Sequence, residues 1–136
     1  MRIVLDTNVL VSGLHNPNGV PGRIVDLLLA GKLTALYNDA ILGEYADVLS
    51  RPHLEISTEQ VQAVVGFIRL SGEMIQAMPL PSDTLPDPDD LVFAEVAISS
   101  GADVLVTGNM KHFVGLKKRG IVVLTPAEFL KKFLAE

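Results

Sequence analysis

Acidic side chains stand at widely separated points of this 136-residue chain, each beside an apolar run. Asp6 closes the run Ile3-Val4-Leu5 and is followed by the small polar pair Thr7 and Asn8. Glu44 lies within a stretch whose apolar residues Ile41, Leu42, Tyr45, Val48 and Leu49 have helical spacing. Asp87, Asp89 and Asp90 crowd the approach to the Ala-containing apolar run 91–100. Asn109 ends the triplet Thr107-Gly108-Asn109, which follows Val104-Leu105-Val106. A carboxylate is costly to bury unless it is paired or holds a cation. Several of them within a few ångströms repel one another and stay ionised together only with a compensating positive charge. An all-oxygen donor set favours Mg²⁺ or Mn²⁺. Such ions activate water and stabilise an in-line displacement at phosphorus. The chemistry on offer is therefore metal-dependent hydrolysis of a phosphodiester or phosphate, provided the chain folds so that these residues meet.

The elements that must position them can be read from apolar periodicity. Ile3 to Leu5 has no polar alternation, which predicts a strand buried on both faces and central in a parallel sheet. Asp6 then sits at the carboxyl edge, where open α/β sheets bind ligands. Residues 9–14 are apolar but interrupted by Ser12 and Gly13, and 15–19 (H-N-P-N-G) is a dense turn signal. Pro21 can open a helix carrying Ile24, Val25, Leu28 and Leu29, which Gly31 ends. Residues 34–37 read as a second strand, and Asn38 or Asp39 can cap the helix that holds Glu44, with Pro52 at its exit. Ser57 or Thr58 caps a further helix, with Gln60 placed for a capping box and Gly72 at its end. Residues 73–78 are weakly alternating and read as a strand. Residues 79–90, with four prolines and four aspartates, read as an irregular loop. A buried helix over 91–100 closed by Gly101, strands at 104–106 and 121–124, and a last helix over 126–134 complete the chain. Strands alternate with helices throughout, which predicts an α/β sandwich with a mainly parallel sheet. No boundary divides it, so residues 1–136 are expected to form one domain.

In such a sheet, the strand ends that feed helices lie on one side, so Asp6, Glu44, Asp90 and Asn109 would converge despite their separation. Each also has an ordinary reading. At about 100° per residue, Glu44 points roughly 40° from Val48, at the flank of the apolar stripe, where a glutamate commonly reaches solvent. Carboxylates favour helix N-termini, which accounts for one or two of the three aspartates ahead of residue 91. Asp90 shares a helical face with Ala94, Ala97 and Gly101, small residues that let it approach the sheet, while Asp87 stays in the loop. Gly108 permits a tight turn, and asparagine is an ordinary turn residue at 109.

Composition narrows the classes. With 49% hydrophobic residues the chain can build a core, and intrinsic disorder is excluded as its main state. The formal charge of −5 argues against bulk electrostatic binding of nucleic acid, although bound metal ions would mask part of it. The absence of cysteine excludes a disulfide framework, a thiol nucleophile and a cysteine zinc site. No apolar run is long enough to span a bilayer and no signal-peptide pattern opens the chain, so a cytoplasmic protein is expected.

Taken in order, these pieces resemble the PIN-domain ribonucleases, especially the VapC-like toxins of toxin–antitoxin modules. The resemblance runs over essentially the whole length. It rests on I-V-L-D-T-N-V-L at 3–10, Glu44 in the second predicted helix, D-P-D-D at 87–90 leading into F-A-E-V-A, and A-D-V-L-V-T-G-N at 102–109. It implies a three-layer α/β/α fold and Mg²⁺- or Mn²⁺-dependent endoribonuclease activity on single-stranded regions of RNA. It also implies neutralisation by a small cognate antitoxin, and homodimers formed through helical faces. Asp6, Glu44 and Asp90 match the family's metal ligands; Thr7 and Asn8 match supporting positions, and Thr107 the hydroxyl preceding a fourth acid. Asp90 rather than Asp89 fits because the family's acid leads the D-x-x-apolar-A pattern, here Asp90 to Ala94. The departure is Asn109, where the family often has Asp; amide replaces charge, which bears on a second metal and on water activation. Asp87 or Asp89 would be the compensating acid.

Arg23, Arg51, His53, Lys111, His112 and the run Lys117-Lys118-Arg119 are candidate phosphate contacts, although a solvated face is the ordinary reading of such residues. The leading expectation is thus a toxin endoribonuclease with Asp6, Glu44, Asp90 and Asn109 at its centre. Its rival is a catalytically impaired PIN-like module that binds RNA or protein, which Asn109 and the acidic charge favour. A receiver-like phosphoacceptor lacks its expected paired acids, and a phosphatase of the Asp-x-Asp type lacks its motif after the first strand.

Overall fold

A computed structural model describes residues 1–135 of the chain. β1 (Arg2–Leu5) is followed at once by α1 (Thr7–His15) and α2 (Val20–Leu29). β2 (Thr34–Tyr37), α3 (Asp39–Leu49), α4 (Thr58–Ser71) and β3 (Glu73–Met74) come next. α5 (Leu91–Ser100), β4 (Val104–Val106), β5 (Val123–Leu124) and α6 (Pro126–Ala135) complete the series. Short 3-10 turns occupy Pro52–Leu54, Pro88–Asp90, Met110–Phe113 and Lys117–Arg119.

The five strands form one sheet in the order β3-β2-β1-β4-β5, with every pair parallel. β1 is central because Ile3, Val4 and Leu5 are apolar on both faces and fully covered. Helices flank the sheet as expected of a three-layer α/β/α sandwich. α1 packs with α2 and α2 with α6, while α3 packs with α4 and α5, and α5 lies against β1 and β2. The chain runs from β1 outward through β2 to β3, then returns to the other side of β1 for β4 and β5. The order therefore reverses between β1 and β4, and the carboxyl ends of those two strands are the topological switch point.

Local chemistry explains the helix boundaries. Asn38 caps α3 by accepting from Ile41 N at 2.9 Å. Ser57 and Gln60 complete the capping box at the start of α4. Gly101 ends α5 in the left-handed region at φ +64°, which glycine adopts without strain.

The structure adds to or corrects the sequence reading in four details. Residues 7–15 form a helix despite Ser12 and Gly13. Gly13 is buried against α2, so close that a Cβ there would lie 2.6 Å from Val25 Cγ2. The packing of α1 on α2 outweighs the propensity cost of glycine. Beyond Met74 only one more ladder bond forms, from Ile75 N to Tyr37 O at 2.8 Å, so the strand expected over 73–78 is two residues long. The strand expected over 121–124 is likewise confined to Val123–Leu124, because Ile121 N is taken by Leu116 O at 3.2 Å. Finally, Gly108 has no positive φ, and a Cβ there would meet Asn8 only at ordinary contact distance, 3.8 Å.

Candidate active site

β1 and β4 end side by side, with Leu5 paired to Val106. The next residue on each strand is Asp6 and Thr107, and both are buried. The Thr107 hydroxyl donates to Asp6 Oδ2 at 2.7 Å, and Asn109 N donates to Thr107 Oγ1 at 2.9 Å. Asp6 is also the residue from which α1 starts, so its carboxylate lies at the positive end of a helix. Burial nevertheless holds the Asp6 carboxyl above its ordinary pKa, and the charge of Asp90 adds to the shift. The Thr107 hydroxyl, the Thr7 backbone and His112 oppose it.

α3 brings Glu44 to the same edge, half-buried as its place on the stripe predicted. The Thr7 hydroxyl donates to Glu44 Oε2. The threonine following Asp6 thereby ties the first turn of α1 to the helix that carries the second acid. Asp90 stands where a 3-10 turn passes into α5. Its pKa is raised by burial, with the charges of Asp87 and Glu44 adding and His112 opposing. Asp87 serves the turn itself, accepting from Asp89 N at 3.0 Å. Asp89 is exposed.

Asp6, Glu44 and Asp90 thus share one electrostatic neighbourhood at the switch point. They are not drawn into a closed cage: among the described residues no three Asp, Glu or His side chains are spaced to hold a metal ion as they stand. Each carboxylate is turned instead toward a neighbour, Asp6 to Thr107, Glu44 to Thr7 and Asp90 to His112. Two oxygens shut off from solvent lack a well-aligned hydrogen-bond donor, Asn8 Oδ1 and Asp90 Oδ2. The orphaned Asn8 Oδ1 beside mutually repelling carboxylates is the donor chemistry that Mg²⁺ or Mn²⁺ takes, so the residues present fit such an ion. Asn109 is exposed and joins the site through its backbone rather than its amide.

Two residues enter that the sequence reading did not place here. His112 Nδ1 lies 3.0 Å from Asp90 Oδ2. In the sequence Tyr45 stands out only as part of an apolar stripe. It is 1% exposed, and its hydroxyl donates to Leu5 O at 2.5 Å. Burial, then the charges of Asp6 and Glu44, push its pKa far above the ordinary value, so it stays a donor at any working pH. The signal available was the residue type, because a buried tyrosine hydroxyl needs a partner. For His112 the signal was its place three residues after Asn109, while its partner Asp90 lies in a separate 3-10 turn. Of the other candidate phosphate contacts, Arg51 pairs with Asp47 at 3.6 Å on α3. Arg23, His53, Lys111 and the run 117–119 are exposed.

Residues 2–111 match the PIN domain family, and the chain belongs to it. An uncharacterized protein of Methanocaldococcus jannaschii is 29% identical over 144 residues, covering 98% of this chain and 92% of that one. Among solved structures, the fold is similar to the crystal structure of VapBC2 from Rickettsia felis bound to a DNA fragment from their promoter. That likeness has a TM-score of 0.56 at 20% identity, over 92% of this chain and 98% of the other.

Proposed function

We propose that this chain is a Mg²⁺- or Mn²⁺-dependent endoribonuclease acting on single-stranded regions of RNA, the toxin of a type II toxin–antitoxin pair. The observation that carries the reading is the buried Asp6 carboxylate at the switch point, held by Thr107 and within the field of Asp90. Membership of the PIN domain family and the likeness to VapBC2 support it. In this reading residues 1–136 are a single PIN domain that works in the cytoplasm as a homodimer and is neutralised by a cognate antitoxin.

Asp6, Glu44 and Asp90 would hold the ion, which when bound supplies Lewis acidity at the scissile phosphate and an activated water. The chain's own residues do the rest. Thr107 and Thr7 fix the directions of the Asp6 and Glu44 carboxylates. His112, with Nδ1 3.0 Å from Asp90 Oδ2, opposes the upward shift of Asp90, and Asp87 adds negative charge beside it. Asn8 offers its free carbonyl oxygen.

The test is incubation of total cellular RNA with purified protein and Mn²⁺, beside Asp6→Asn and EDTA controls. Fragmentation abolished in both controls is expected. Equal cleavage by Asp6→Asn would overturn the assignment. A second reading, a catalytically impaired module that binds RNA or protein, is favoured by one specific observation, the amide at Asn109. It predicts no fragmentation by folded wild-type protein and a gain of cleavage in Asn109→Asp.

A further inference from the structure

Beside the acid site runs a groove of about 650 Å³ between β5 and the segment that follows Asn109. Its volume lies within the range of about 300–1,000 Å³ usual for small-molecule sites. Its floor is aliphatic, with Met110, Val114, Val122 and Leu124 among the lining residues, and three of these are exposed large hydrophobics. The charged residues that line it are Lys111 and Lys117, both exposed. Among the described residues no acid lines it, although acids outnumber lysine and arginine in the chain by 16 to 11. Lys118 and Arg119 continue the positive charge beyond it.

The groove and the acid site share a wall. Leu124 lines the groove, and its carbonyl accepts from Thr107 N at 3.0 Å. The Thr107 hydroxyl in turn holds Asp6. Lys111, at the groove, is next in sequence to His112, which faces Asp90. An occupant must therefore be anionic, carry a flat or apolar part, and reach a site fitted for phosphodiester chemistry.

We propose that this groove binds a nucleotide of the single-stranded RNA next to the scissile phosphate. Its base lies on the Met110–Val122 floor, and Lys111 and Lys117 take the flanking phosphates. The proposal rests on the nuclease reading of the acid site and assigns the strand a path across it. Bases are held against apolar as well as aromatic side chains, and backbone cations supply sequence-independent affinity.

The test is fluorescence anisotropy of a fluorescein-labelled oligouridylate in EDTA, where no cleavage occurs. The proteins are wild type, Lys111→Glu/Lys117→Glu and Val122→Glu, each first shown to be folded by circular dichroism. Wild type is expected to bind. The double variant should lose at least about tenfold in affinity, and its salt slope should fall by about 1.4, at about 0.7 per single-strand phosphate. Val122→Glu should weaken binding without a comparable change in slope. Binding unaltered by both variants overturns the proposal, as does wild-type protein that fails to bind. A labelled acidic peptide, Asp-Leu-Asp-Val-Asp-Leu, is the competing probe. If it binds wild type in a Val122-dependent way and RNA does not, the groove is a peptide site. Cleavage of total RNA with Mn²⁺ separates the two levels: a wild type that cleaves, with variants of unchanged KM, removes the groove and leaves the nuclease reading standing.

Discussion

Replacing Tyr45 by phenylalanine removes one oxygen from the middle of the acid site and leaves the ring in place. The tyrosine side chain reaches every acid-bearing element. Tyr45 follows Glu44 on α3, its hydroxyl reaches Leu5 just before Asp6, and its ring stands 6.3 Å from that of Phe93 on α5, the helix that Asp90 precedes. The hydroxyl therefore sets the spacing between Glu44 and Asp6. Loss of a buried hydrogen bond of this kind costs about 1–2 kcal/mol. Unfolding entropy of about 2.1 cal/mol/K per residue converts that cost, for a chain of 136 residues, into a Tm lower by roughly 4–7 °C. A purely structural tyrosine would show this loss and nothing more. Tyr45 as a positioning residue should also weaken Mn²⁺ binding by about tenfold, the low end for groups that orient metal ligands. Isothermal titration with Mn²⁺ reads that term, and Tyr37→Phe is the control. The Tyr37 hydroxyl donates to Arg69 O at 2.9 Å, on α4, which carries none of the three acids. An affinity that falls no further in Tyr45→Phe than in Tyr37→Phe refutes the positioning role.

Two further outcomes follow from the same geometry. Asp6 and Asp90 have folded pKa values raised by burial, so their contribution to stability is fully present below the ordinary carboxylate pKa and is lost as pH rises through the raised values. In metal-free buffer Asp6→Asn should therefore melt above wild type at neutral pH, and the gap should close as the buffer is taken toward pH 3; a gap that widens on acidification contradicts the burial argument. Ser57→Ala breaks the capping box of α4 and should cost about 1 kcal/mol in urea denaturation while leaving Mn²⁺ affinity unchanged.

The sheet was legible because its central strands carry no alternation. Ile3 to Leu5 and Val104 to Val106 can only be two-sided, and their position fixed the edge on which Asp6 and Thr107 meet. The caps at Asn38 and Ser57 were legible because each is a short polar side chain that accepts from a backbone N–H three residues on, and at Ser57 the Gln60 side chain returns the bond. α1 was not, because the feature that breaks its pattern, Gly13, is explained by a helix that packs on it later in the chain. Likewise the roles of Tyr45 and His112 depend on partners 40 and 22 residues away, Leu5 and Asp90, and no spacing rule connects them. At Gly108, which permits a tight turn, the backbone makes no use of the left-handed region that glycine opens.

On the proposed reading Asp6, Glu44 and Asp90 act as one cation site, although among the described residues no three acidic side chains are spaced to close on an ion. Electron paramagnetic resonance titration of Mn²⁺ against wild type, Asp6→Asn, Glu44→Gln and Asp90→Asn measures it directly, with no dependence on RNA. Saturable binding by wild type, lost or sharply weakened in all three variants, is the predicted result, and excess Mn²⁺ at about 100 times Kd should add about 2.7 kcal/mol of stability to wild type alone. Equal Mn²⁺ binding by all four proteins would contradict it.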